Sequence, residues 1–381
     1  MKMQLLGART APQFFSRYWQ KRPLVVRNAI SGFTDLLPQA DLFRLASDDD
    51  IESRVVRHDA GRWTLEHGPF ALSAFKRIPA ANWTLLVQGL NLHNQRADKL
   101  LRLFNFIPYA RLDDVMVSYA VPGGGVGPHT DSYDVFLLQG SGRRLWRVGR
   151  VRNPELLKDA PLRILKHFEP EAEYTMEAGD LLYLPPGWAH DGVAIDTCTT
   201  YSIGFRAPGR GELLSEFLLR FSERISEECK FPGLYRDPDL RAQSRPSAIP
   251  GAMVDKTAAM LSQLRFTRGD IARFLGEYLS EPKPRIVFSR PRRRVSPAQF
   301  AAALGKHGVK LSSRTLMLHS QNAVFINGER LSLQGPIRAR LVHLADNREL
   351  PAGRYSQPLR QLLHDWYVSG WLQIGSGMSH T

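Results

Sequence analysis

Between about residues 82 and 206 the apolar positions come in short runs rich in β-branched and aromatic side chains. Trp83-Thr84-Leu85-Leu86-Val87, Val115-Met116-Val117-Ser118-Tyr119, Val135-Phe136-Leu137-Leu138 and Leu145-Trp146-Arg147-Val148 are the clearest. Gly or Pro clusters bound most of them, and many short strands punctuated this way predict a sandwich or barrel. The period changes after Gly209. Leu214, Phe217, Leu218, Phe221 and Ile225 fall at i, i+3, i+4, i+7 and i+11, one face of an amphipathic helix. Ile271, Phe274, Leu275, Tyr278 and Leu279 repeat that pattern behind Thr267 and Asp270, which are placed like a capping box. These helical faces must pack on the β region or on a second copy of the chain.

Pro282 to Arg294 reads as a linker with a basic cluster. Beyond it, Ser296-Pro297 opens a short helix with Ser as N-cap. Val324-Phe325-Ile326 and Glu329-Arg330-Leu331 flank Asn327-Gly328, a strong hairpin signal. Leu359, Leu362, Leu363 and Trp366 make a helix face, and Trp371-Leu372-Gln373-Ile374 reads as a last strand. Small helices with a β-ribbon resemble a winged-helix domain. The chain thus divides into a β domain (1–208), a helical region (209–281), the linker (282–294) and a winged-helix-like domain (295–381), an α+β protein.

Composition narrows the class. At roughly 150 residues per domain, 381 residues make two to three domains. Hydrophobic content of 43% and charged content of 23% exclude wholesale disorder. No apolar run approaches the ~18 residues of a membrane helix. Cys198 and Cys229 lack CxxC spacing, which excludes a disulfide scaffold or a cysteine zinc site and suits a reducing, cytoplasmic compartment. The formal charge of +14 leaves room for contact with nucleic acid or a ribonucleoprotein. The basic N-terminus, with no acidic residue before Asp35, has the composition of a transit peptide. Phe14, Phe15, Tyr18 and Trp19 followed by Pro23-Leu24-Val25-Val26 favour an aromatic helix running into a strand.

Candidate chemistry lies in two segments. In Gly123-Gly124-Gly125-Val126-Gly127-Pro128-His129-Thr130-Asp131 the His and Asp are two apart, so on a strand both side chains face one ion. Alone, such a pair is more often ordinary polarity than a site. In Gly179-Asp180-Leu181-Leu182-Tyr183-Leu184-Pro185-Pro186-Gly187-Trp188-Ala189-His190 an apolar strand ends in a turn that delivers a second histidine. Two His and one carboxylate cover one face of an octahedron and leave three positions open, the arrangement of non-haem Fe(II) oxygenases. Zinc would favour a closed tetrahedral set richer in N or S. The other histidines lack ligand spacing and read as surface or structural. Arg143 and Arg144 follow the Gly140-Ser141-Gly142 turn and point to opposite faces. Arg144 shares its face with Trp146 and Val148, an apolar set suited to a barrel interior.

These segments resemble the cupin signatures, with Gly179, Pro185, Gly187 and His190 in the second and Gly123, His129, Asp131 and Gly142 in the first. Val135 stands where simple cupins carry glutamate, and Ala194 where they carry asparagine, so the pattern looks like the JmjC-type 2-oxoglutarate oxygenases with a double-stranded β-helix core. Tyr133-Asp134-Val135-Phe136, Gly142-Arg143-Arg144-Leu145-Trp146-Arg147-Val148-Gly149 and Ser202-Ile203-Gly204-Phe205-Arg206-Ala207-Pro208 narrow the resemblance to bacterial ribosomal oxygenases. That resemblance implies arginine hydroxylation on a large-subunit ribosomal protein, with Fe(II) on His129, Asp131 and His190. It also implies O2 and 2-oxoglutarate as cosubstrates, the latter's C5 carboxylate on Arg144 with Ser118 hydrogen-bonding it, and a homodimer through the helical region. If the substrate is an arginine, acidic groups should grip it, and Asp134 is near in sequence. The rivals are the same chemistry on another protein residue, and a ligand-sensing cupin transcription factor with a DNA-binding winged helix, which the charge and the basic linker favour.

Overall fold

Twelve strands precede Arg206 among the described residues: β1 (Leu24–Val26), β2 (Ser53–Asp59), β3 (Arg62–His67), β4 (Trp83–Val87), β5 (Leu112–Ala120), β6 (His129–Thr130), β7 (Val135–Gln139), β8 (Arg144–Arg150), β9 (Ala172–Met176), β10 (Leu181–Leu184), β11 (Trp188–Ala194) and β12 (Cys198–Phe205). They form an eight-stranded sheet, β1-β10-β7-β12-β5-β4-β2-β3, and a four-stranded sheet, β6-β11-β8-β9. From β5 onward the chain crosses between the sheets at almost every connection, the winding of a double-stranded β-helix. The computed structural model describes residues 3–227, 233–291 and 295–375, and it separates into two compact units, Met1–Ala207 and Pro208–Thr381. Cys229 and Arg292 to Arg294 lie outside the described residues.

Strand parity decides what each sheet face meets. In β7, Phe136 and Leu138 join a core with Phe14, Leu42 and Leu100 from the helices that cover the larger sheet, and with Phe104 from the turn after one of them. Val135 and Leu137 turn the other way and pack against Trp146, Val148 and Met176 of the smaller sheet. In β5 and β12, Val115, Val117, Tyr119, Tyr201, Ile203 and Phe205 go to the helix side. Their alternates, Asp114, Met116, Ser118, Thr200, Ser202 and Gly204, line a cavity of about 430 Å³ between the sheets. The first aromatic helix forms as expected, at Ala11–Arg17 with Thr10 and Gln13 as a capping box. Gly142 turns the chain from β7 into β8 at φ +62, where a Cβ would collide with the Thr197 carbonyl oxygen.

In the second unit the helices are Arg210–Glu227, Gly251–Leu261 and Arg268–Ser280, the last with the expected Thr267–Asp270 capping box. Phe217, Phe221, Phe266 and Phe274 form one aromatic cluster, while Leu214 and Leu218 stay 63% and 53% exposed. Arg268–Ser280 also packs on the ribbon Met317–Leu331, where Ser280 accepts a hydrogen bond from the Gly328 N–H at 3.1 Å. That ribbon turns at Asn327 and Gly328, both at positive φ, the hairpin turn foreseen for Asn-Gly. Ser296 caps Pro297–His307, which packs with Gly335–Asn347 and Gln357–Val368 around Phe300, Leu304, Leu341, Leu363 and Trp366. No helix among the described residues is long and apolar enough to cross a membrane.

Candidate metal centre and cosubstrate cavity

β6 and β11 pair so that His129 lies directly opposite His190. Their ring centroids are 4.3 Å apart, and Asp131, one residue past β6, places Oδ2 3.7 Å from His190 Nε2. The Pro185-Pro186-Gly187 turn is tied to the same place, because the Gly187 N–H donates to the Asp131 carbonyl at 2.8 Å. One ligand atom from each of the three side chains lies within 4.8 Å of the others, and they form the single such group found among the described residues.

The donor chemistry fits a metal ion. His129 Nδ1 meets the Gly127 carbonyl at 2.8 Å and His190 Nδ1 meets the Trp188 carbonyl at 3.1 Å. A carbonyl can only accept, so each Nδ1 carries the proton and each Nε2 offers its lone pair. Burial, reinforced by His129, pulls the His190 pKa down to about 3, so the ring stays neutral and available as a ligand. Burial raises the Asp131 carboxyl, against the opposing pull of His129 and the Tyr133 hydroxyl. A cation at the centre would restore its ionised form.

Arg144 takes the inward face of β8, as strand parity predicts. It is 5% exposed, and its Nη1 donates to Ser118 Oγ at 3.2 Å. Its Nε and Nη2 are buried without a partner, and its guanidinium carbon sits 5.7 Å from the Trp146 ring centroid. A buried guanidinium with two idle donors and no carboxylate is costly unless an anion completes it. The cavity it lines also holds His129, Asp131 and His190. Arg143 faces outward and pairs with Asp196 at 2.9 Å.

Asp134, the acidic residue adjacent in sequence, is turned away from the cavity. Fully buried, it accepts from Tyr183 Oη at 2.6 Å and Gln20 Nε2 at 2.9 Å, and it lies 3.4 Å from Arg111. Tyr183 accordingly belongs to the helix-side core and does not line the cavity. The carboxylates that do line the cavity beside Asp131 are Asp113 and Asp114, with Met116 and Tyr133 near them in the lining. Strand parity on β5, counted outward from Ser118, would have placed Asp114 and Met116 inside.

Two families match the chain: the JmjC domain over residues 99–213 and the ROXA-like winged helix over residues 262–373. The second match takes in Arg268–Ser280, the helix that packs on the ribbon. A relative from Escherichia coli (strain K12), named ribosomal protein uL16 3-hydroxylase, is 35% identical over 91% of this chain and 92% of its own length. A probable ribosomal oxygenase of Haemophilus influenzae is 34% identical over 66% of this chain and 63% of its own. The crystal structure of E. coli YcfD superposes with a TM-score of 0.85 at 33% identity, covering 98% of this chain and 100% of that one. A second YcfD structure holds cobalt and 2-oxoglutarate and superposes at 0.81, with 33% identity over 96% of this chain and 98% of that one. Identity above 30% across nine-tenths of both chains, on one shared fold, places this protein among the ribosomal oxygenases of the JmjC type.

Proposed function

We propose that this chain is an Fe(II)- and 2-oxoglutarate-dependent hydroxylase of an arginine side chain on a large-subunit ribosomal protein, acting in the cytoplasm. Arg144 carries the reading: a buried, incompletely partnered guanidinium in the same cavity as two histidines and a carboxylate. His129, Asp131 and His190 would hold the iron, and Arg144 with Ser118 would grip the cosubstrate's C5 carboxylate as a rigid fork. Iron, 2-oxoglutarate and O2 together supply, when bound, an oxidant able to place one oxygen atom on an unactivated C–H bond, with succinate and CO2 as coproducts.

The chain's own part is to hold the reactants and keep water out. Val135, Leu137 and Trp146 give the cavity an apolar wall near Arg144, which strengthens the Arg–carboxylate attraction. Asp113, Asp114, Met116 and Tyr133 supply carboxylates, a thioether and a ring, the partners a guanidinium takes. Asp114 already accepts from Gln88 at 2.8 Å, which fixes its orientation. The cobalt complex of YcfD supports the metal and cosubstrate, since Co(II) and Fe(II) share N and O ligands. The E. coli relative's name supports the substrate class.

The test is peptide mass mapping of purified uL16 after incubation with protein, Fe(II) and 2-oxoglutarate. One added oxygen on an arginine is expected with wild type and none with His190→Ala. Oxygen on another residue type would displace the arginine assignment, and no oxygen on any ribosomal protein would overturn the substrate class. We further assign a symmetric homodimer to the helical region, supported by the exposed Leu214, Leu218, Leu219 and Leu261.

A further inference from the structure

We infer that the C-terminal unit carries an RNA-docking surface centred on the loop from Pro351 to Ser356. The charge points there first. Residues 282–381 hold 15 Lys and Arg against 4 Asp and Glu, so +11 of the chain's +14 lies in its last hundred residues. Several cations of the first unit are neutralised where they stand: Arg57 by Glu66, Arg102 by Asp98, Arg147 by Glu173 and Asp191, Lys166 by Glu155. In residues 295–375 His319 Nε2 lies 3.1 Å from Asp346, a contact that is ionic only when the imidazole is protonated. Lys306, Arg340, Arg354 and Arg360 are exposed and make no ion pair with a described carboxylate.

Local packing brings these four to one place. Helix Pro297–His307 ends beside the loop: a Cβ added at Gly305 would lie 3.8 Å from the Gly353 carbonyl oxygen, which puts Lys306 and Arg354, each one residue on, in neighbouring segments. The Tyr355 ring turns back toward Gly353, where an added Cβ would meet it at 3.9 Å, and its hydroxyl donates to the Pro351 carbonyl at 2.5 Å, which closes the loop on itself. The Arg340 guanidinium, from helix Gly335–Asn347, sits 5.8 Å over that ring. The loop then runs into the twelve-residue helix Gln357–Val368, whose N-cap Ser356 makes no side-chain capping bond, and Arg360 lies in its first turn. The open positive end of that helix adds to the same field. Lys310 stays outside the patch, because it faces Glu349 across its ladder.

Four unpaired cations around an aromatic-pinned loop match the phosphates of a nucleic-acid backbone. The same structure disfavours reading of a DNA groove. The exposed side of Gln357–Val368 carries Asp365, which holds Gln361 Nε2 at 2.9 Å, so this helix has one cation and an acid where a base-reading helix needs donors. The choice of RNA rests on the proposed function, since a ribosomal protein is met beside ribosomal RNA.

Fluorescence anisotropy of the full chain with a labelled 20-base-pair RNA duplex, and with DNA of the same sequence, tests the surface. RNA should bind, with log K falling against log salt at a slope of about −3 to −4 for four neutralised phosphates. Lys306→Ala with Arg354→Ala should weaken RNA binding by roughly tenfold or more and reduce the slope by about two. The same variant should hydroxylate isolated uL16 as wild type does, which shows that it is folded. No RNA binding at low salt, an unchanged double variant, or DNA bound as tightly as RNA would overturn the inference. Failure of wild type to oxygenate any ribosomal protein is a separate readout and would remove the proposed substrate without touching the anisotropy.

Discussion

Arg144 is the residue at which the cosubstrate assignment can be broken without touching the metal. Replacing it with methionine keeps most of the side-chain volume and removes the charge. The side chain is 5% exposed, its one hydrogen bond goes to the neutral Ser118, and two of its nitrogens have no partner. A 2-oxoglutarate carboxylate left there without its cation loses about 3–5 kcal/mol. At ~1.4 kcal/mol per factor of ten, cosubstrate affinity falls at least a hundredfold. Thermal unfolding with Mn(II) reads this directly. At 2-oxoglutarate a hundredfold above the wild-type Kd, binding stabilises wild type by about 2.7 kcal/mol, whereas a hundredfold-weaker variant gains about 0.4 kcal/mol, so its ligand-induced shift nearly vanishes.

Without ligand the sign reverses. An incompletely partnered buried charge is gone, so the ligand-free variant should melt no lower than wild type and up to a few degrees higher, less whatever the Trp146 contact contributed. Metal affinity should not change, because a guanidinium cannot ligate a cation. Arg143→Ala is the control. Its pair with Asp196 is half-exposed on both sides, at 52% and 43%, and surface pairs of this kind contribute about 0–1 kcal/mol. Full 2-oxoglutarate stabilisation of Arg144→Met, or greater damage from Arg143→Ala, would refute the argument.

His190→Ala should abolish turnover of 2-oxoglutarate and Co(II) binding followed by its visible spectrum, while far-ultraviolet dichroism stays near wild type; normal turnover would sink the ligand assignment. With a folded pKa near 3 against 6.5 unfolded, His190 refuses a proton that the unfolded chain accepts, so the metal-free protein loses about 1.4 kcal/mol per pH unit from this group as pH falls below 6.5. Between pH 7 and pH 5, urea midpoints should therefore cost wild type about 2 kcal/mol more than His190→Gln, and equal losses would contradict the burial argument. Asp114→Asn should lower kcat/KM for the ribosomal protein at least tenfold while substrate-free 2-oxoglutarate decarboxylation continues, and an unchanged kcat/KM would remove Asp114 from the substrate site. Sedimentation at micromolar concentration should give a species about twice 43.1 kDa, and Leu214→Glu with Leu218→Glu should halve it. A wild-type monomer would contradict the dimer.

What the amino-acid pattern discloses here follows from which forces are local. The alternation of Arg144, Trp146 and Val148 against Leu145 and Arg147 needs only the two-residue period of a strand, and the observed faces agree with it. The Thr267–Asp270 capping box, the Ser296 N-cap and the Asn327-Gly328 turn depend on four or fewer consecutive residues and form as expected. The grouping of His129, Asp131 and His190 was readable because the Pro-Pro-Gly turn and the glycine loop leave few directions for His190 and His129. Asp134 shows where local reasoning stops. It stands in the turn before β7, where no alternation applies. Its direction is set by Tyr183, Gln20 and Arg111, the first 49 residues away and the second 114. A buried carboxylate goes where donors meet it, and no sequence window contained those donors. Asp113 and Asp114 were missed for the converse reason: β5 was read from its apolar core at Val115–Tyr119. The strand itself runs Leu112–Ala120, so parity carried two residues further would have placed Asp114 beside Met116 and Ser118 in the cavity.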